Sequence, residues 1–121
     1  MATVTLGPAV LDIAGVRAGD LNEFAMTLTA NNQPVNLSGY TITAQARNNQ
    51  SDTEMISAVV TVVDAAKGKI TIRWPGDLIR TWLASKVRAT GVWDMQLKPA
   101  TGDPTTVVAG TFAAELDVTR P

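Results

Sequence analysis

The stretch Asn31–Arg47, NNQPVNLSGYTITAQAR, decides the fold. Asn31, Asn32 and Pro34 bring turn chemistry, because Asn tolerates left-handed backbone and Pro presets φ. Ser38-Gly39 is a second break, and from Tyr40 onward the residues alternate. Tyr40, Ile42, Ala44 and Ala46 share one face, while Thr41, Thr43, Gln45 and Arg47 share the other. A period of two, β-branched residues and flanking breakers together predict a half-buried antiparallel strand. The stretch carries no nucleophile, metal ligand or phosphate loop.

The same grammar continues on both sides. Upstream, Val10–Ile13 predicts a short edge strand broken by Gly15, and Arg17–Asp20 a turn. Leu21–Ala30 then predicts a strand with Phe24, Met26 and Leu28 on one face. Downstream, Met55–Val63 is β-branched on both faces, which suits a central strand or one covered by something else. Asp64–Lys69 is a turn with Gly68 at its left-handed position, after which Ile70, Ile72 and Trp74 alternate with Thr71 and Arg73. Leu78, Ile79, Trp82 and Leu83 have helical spacing, with Asp77 as the N-cap.

Beyond that turn, Gly91, Trp93, Met95 and Leu97 face one way, and Pro99–Pro104 is a hairpin loop. The last strand, Thr105–Thr119, has Val108, Gly110, Phe112, Ala114, Leu116 and Val118 on one side, with Gly110 marking a bulge or a close backbone approach. About seven strands with turns every ~8–12 residues, plus one short helical turn, predict an all-β fold: an immunoglobulin-like antiparallel β-sandwich. Residues 1–9 form an N-terminal arm and residues 10–121 the sandwich domain. The arm either frays or lays a strand along a neighbouring subunit.

Composition narrows the chemistry. The chain has 121 residues, 45% of them apolar, enough for one globular domain with a core. Ten basic and eleven acidic residues leave a net charge of −1. That balance gives no basic field for nucleic acid, no polybasic patch for a membrane surface, and little repulsion between copies. Neither Cys nor His is present, which removes disulfides, thiol redox, His-based catalysis and the usual zinc and copper ligands. The expectation is a protein that is not an enzyme, with no metal, no cofactor and no catalytic residues. The N-terminus lacks a basic leader and Asp12 interrupts its apolar run, so the chain reads as made in the cytoplasm. No stretch approaches the roughly 18 apolar residues of a membrane span.

Two features invite a site. Glu115 and Asp117 lie two apart on one strand face and could join loop oxygens around calcium, although a solvated surface is the simpler reading. Among the aromatics, Phe24, Trp93 and Phe112 fall on inward faces. Trp74 and Trp82 flank the helical turn, where they either pack or form a docking hot spot. The candidate interaction residues are therefore Val4 and Leu6 on the arm and Trp74, Trp82 and Leu83 around the turn.

Several segments are familiar in combination. Arg17-Ala18-Gly19-Asp20 before a strand is similar to an x-G-D turn, and Gln33–Tyr40 to a P-V-D-L-T-G-Y segment. Asp64–Ile72 is similar to a D-x-x-x-G-x-(V/I)-T-(V/I) hairpin, Gly91–Leu97 to Y-x-W-D-L-Q-L, and Gly110–Arg120 to a terminus ending D-V-T-R. In this order they resemble the immunoglobulin-like N-terminal module of phage upper baseplate proteins and related small phage virion proteins. The resemblance spans about Leu11 to Arg120.

It implies a non-enzymatic virion structural protein, made in the host cytoplasm. Such a protein would dock on the tail or baseplate, or decorate the capsid, through edge strands and the N-terminal arm. Its partners would be other virion proteins in a symmetric, multi-copy assembly, with no nucleic acid and no membrane. Family members continue past the position where this chain stops, at Pro121, which favours a joining or decorating subunit. The alternative on the same sandwich is a carbohydrate-binding or host-adhesion module, which would need coplanar exposed aromatics from Trp74, Trp82 and Tyr40.

Overall fold

The alternating segments build two sheets whose inner faces share one apolar core. The computed structural model describes residues 2–5, 9–18, 20–48, 56–83 and 86–115. Sheet A contains β1 (Ala2–Thr5), β4 (Glu23–Ala30), β9 (Lys69–Arg73) and β8 (Val59–Asp64) in that spatial order, with β5 (Gln33–Pro34) also beside β4. Sheet B runs β2 (Ala9–Val10), β11 (Thr105–Glu115), β10 (Arg88–Lys98), β6 (Thr41–Arg47) and β7 (Ile56–Ser57), with β3 (Ile13–Arg17) following β2 along β11. One helix, α1 (Gly76–Leu83), carries the chain from sheet A to sheet B. The all-β sandwich is as expected from the alternation, and seven of the strands are five residues or longer.

The pairing of those strands is antiparallel except along one rim. There β1 lies parallel to β4, and β2 and β3 lie parallel to β11. Residues Ala2–Thr5 thus pair within sheet A, with Val4 in register with Leu28.

Local chemistry explains the elements. Asn31 and Asn32 have φ of 52° and 63° and join Ala30 to its partner Gln33, a two-residue turn of the kind that needs left-handed backbone at both positions. Gly68, with φ 67°, ends the short 3-10 turn Ala65–Lys67. Ile13 and Val16 are both buried, although three residues apart they would face opposite ways in a regular strand. Gly15 resolves this with φ 79° and a bulge that shifts the register between Ile13 opposite Phe112 and Val16 opposite Ala114. Gly15 therefore lies inside a strand and does not break one.

Three further expectations are corrected. Of the two readings of Met55–Val63, a central strand or a covered one, the central reading fails for β8, which ends the strand order of sheet A. Phe24, expected in the core, is 38% exposed where β4 begins. Helix α1 begins at Gly76, so Asp77 sits inside its first turn rather than at the N-cap. There its charge faces the positive end of the helix dipole.

Gly110 shows the close approach expected of it. It lies opposite Trp93, and a Cβ there would run into the Leu11 carbonyl oxygen. That same carbonyl accepts the Trp93 Nε1–H at 2.7 Å. Gly110→Ala must displace the chain between β2 and β3 or tilt the Trp93 ring. It is expected to cost about 1–3 kcal/mol of unfolding free energy, read from a lower urea midpoint.

Candidate functional site

The two sheets meet around three aromatic rings. Trp74 follows the last residue of β9 and is wholly buried, as is Phe112 of β11, and Trp93 of β10 is 2% exposed. Trp74 stands edge-on to Phe112 with centroids 4.7 Å apart and to Trp93 at 6.1 Å. Trp82, half-buried on α1, makes a second edge contact with Phe112, at 5.6 Å. The Nε1 donors of Trp74 and Trp82 are buried and find no acceptor among the described residues.

This geometry decides the candidates around the helical turn. Trp74 and Leu83 are both 0% exposed, so neither presents a surface to a partner, and their place is in the core. The amphipathic helix explains Leu83: it shares the buried face of α1 with Ile79. Trp82 remains partly exposed beside them. Val4 occupies the β1 ladder, and Leu6 lies outside the described residues. With Trp74 enclosed, the coplanar aromatic platform required by a sugar-binding module is not assembled from Trp74, Trp82 and Tyr40; Tyr40 is 42% exposed just before β6.

Charged groups are placed as structural partners. Glu115 sits between Arg88 at 3.7 Å and Arg17 at 4.0 Å, exposed pairs of small energetic weight, and Asp117 lies outside the described residues. No group of three or more carboxylates among the described residues could hold a metal ion. Asp12 accepts the Thr111 backbone N–H at 3.0 Å. That bond, followed by one from the Thr111 hydroxyl, holds its carboxyl below the ordinary 3.8.

The outer face of sheet B forms an open trough lined by Asp12, Gln45, Arg47, Asp94, Gln96 and Thr111. Burial pushes the Asp94 carboxyl above its ordinary 3.8, with the Arg47 guanidinium opposing the shift. A carboxyl whose folded pKa is raised disfavours the fold once it is ionised, and that penalty lifts as pH falls through the folded pKa. Asp94→Asn is therefore expected to raise the urea midpoint near pH 7, with the gain vanishing below about pH 3.5.

Two strand edges have no partner strand among the described residues. Beyond β1, the outer edge of β4 at Glu23–Ala25 pairs with no described strand. It borders an apolar cleft of about 420 Å³ with Leu11–Ala14 opposite and Ile72 and Trp74 behind. At the other rim of the same sheet, β8 exposes Val59, Val62 and Val63. Sequence reading missed Asn22, whose side chain ties the turn before β4 to Trp74; a lone Asn after an acidic turn gave no signal beyond turn chemistry.

Among solved structures, the chain is similar to the N-terminal domain of phage TP901-1 ORF48, at 16% identity over 96% of this chain and 97% of that one, with a TM-score of 0.48. It is also similar to ACE19, the collagen binding subdomain of the Enterococcus faecalis surface protein ACE, at 14% identity over 88% and 93% of the two chains, with a TM-score of 0.23. No curated protein matches. A family model of the BppU N-terminal domain matches residues 8–81, from just before β2 into α1. With more than half its length matched, the chain belongs to the BppU N-terminal domain family, the N-terminal domain of the phage baseplate upper protein.

Proposed function

We propose that this chain is a non-enzymatic structural component of a phage virion, docked on the tail, the baseplate or the capsid surface through its strand edges and N-terminal segment. Family membership is the observation that carries the reading: a phage baseplate domain supports a virion structural role among other virion proteins. The geometry supports the mode of attachment. The edge of β4 at Glu23–Ala25 and the valine-rich edge of β8 offer backbone groups to an added strand. Residues 1–9 would act as an arm on the sandwich body of residues 10–121. A net charge of −1 suits close packing of several copies and gives no field for nucleic acid or anionic lipid.

The test is to count the chain in gradient-purified phage particles by quantitative mass spectrometry. A fixed stoichiometry relative to known structural proteins is the expected result. Loss of the chain with repeated purification would overturn the reading.

A further inference from the structure

The strand that is apolar on both faces sits at an edge. In sheet A, β8 pairs with β9 on one side, and no described strand pairs with it on the other. Val60 and Val62 lie opposite Ile72 and Ile70, the buried residues of β9, while Val59 and Thr61 lie opposite Arg73 and Thr71 on the outer side. Val62 nevertheless remains 42% exposed, Val59 44% and Val63 63%. Edge strands in soluble proteins are commonly protected by a charge or a proline. Here the run Val59–Val63 has neither, and the first charged residue of the strand is Asp64.

The sequence of that run is self-complementary. Val59-Val60-Thr61-Val62-Val63 reads the same in both directions about Thr61. Two copies placed antiparallel about a two-fold axis at Thr61 match every residue with its own kind: Thr61 with Thr61, Val60 with Val62, and Val59 with Val63. Thr–Thr and paired β-branched residues are favourable across antiparallel strands, and a two-fold contact requires such a self-complementary patch. On the inner side, Val60 of each copy would shield Val62 of the other. The bulge between Val62 and Asp64 confines the regular ladder to Val60–Val62, with the Val59–Val63 pairs at its margins.

We propose that β8 pairs with β8 of a second copy of this chain, antiparallel about Thr61, joining the two A sheets into one continuous sheet. The proposal goes beyond the virion role and does not depend on it. Five residues span only about 17 Å, so the contact is a modest one that strengthens where an assembly holds copies close together.

The absence of cysteine from the chain makes the register directly testable. Thr61→Cys brings two thiols opposite each other at the axis, within disulfide reach, and mild oxidation is expected to give a covalent dimer. Val59→Cys alone should not cross-link to itself, whereas a mixture of Val59→Cys and Val63→Cys should. In sedimentation equilibrium the unmodified chain is expected to show a monomer–dimer equilibrium. Thr61→Lys, an exposed change checked for folding by circular dichroism, should weaken it about tenfold or more by opposing like charges. A chain that stays monomeric up to about 1 mM, a dimer indifferent to Thr61→Lys, open-ended oligomers, or self-cross-linking at residue 59 would each overturn the proposal.

Discussion

Replacing Trp74 with Ala is expected to lower the free energy of unfolding by about 3–5 kcal/mol. Trp74 is fully buried, stands edge-on to Phe112 and Trp93, and closes the end of β9. Truncation opens a cavity between the two sheets and strips two edge-to-face contacts, each worth about 0.5–1.5 kcal/mol beyond area burial. Trp74→Phe separates packing from polarity. It keeps an aromatic ring and removes a buried N–H that lacks an acceptor, a group whose burial costs about 1–3 kcal/mol. Its loss should accordingly be less than half that of Trp74→Ala. Urea unfolding of the isolated chain measures both, with the midpoint falling at unchanged slope. A docking hot spot would instead leave the isolated chain's stability untouched.

Asn22→Ala is the second large effect, at about 2–4 kcal/mol. The Asn22 Oδ1 accepts the Arg17 N–H at 3.0 Å, and its Nδ2 donates to the carbonyls of Arg17 at 2.7 Å and of Asp20 and Trp74 at 3.2 Å. Its own carbonyl accepts the Trp74 N–H at 3.0 Å. The backbone there has φ 50°, which Ala adopts only with strain. One amide thus locks the β3–β4 turn onto the backbone of Trp74, just past β9. Asn22→Gly relieves the strain but restores none of the side-chain bonds, so it should recover only about 1 kcal/mol of the loss. Equal stability of the Gly variant and the parent chain would mean that the four side-chain bonds contribute nothing net.

Which parts of this were legible in the sequence follows from where the forces act. β6, the Asn31-Asn32 turn, Gly68 and Gly110 were readable because alternation and left-handed backbone are local properties. So was the inward set Val108, Gly110, Phe112 and Ala114, whose shared face with Trp93 the sheet B register reproduces. The resemblance to phage upper baseplate modules rested on those same local motifs, and the family match agrees with it. Strand order is not local, so composition left the run Val59–Val63 either central or covered by something else, and its place at the end of sheet A came only from the structure. The bulge at Gly15 looked like a break because Ile13 and Val16 lose their common face in any strict period of two. Trp74 illustrates the remaining limit. A large aromatic at a strand end packs or protrudes depending on what the opposite sheet brings to it, and here Trp93 and Phe112 of sheet B meet Trp74. Asn22 was illegible for a related reason: its partner Trp74 is 52 residues away.

The central claim is that this sandwich serves a virion by its strand edges. Cryo-electron microscopy of intact particles at side-chain resolution tests it most directly. The expected map shows the sandwich at regular positions, with the β8 edge or the β1–β4 rim hydrogen-bonded to a strand of a neighbouring chain. Density that touches its neighbours only through the outer sheet faces, or particles without this chain, would contradict it.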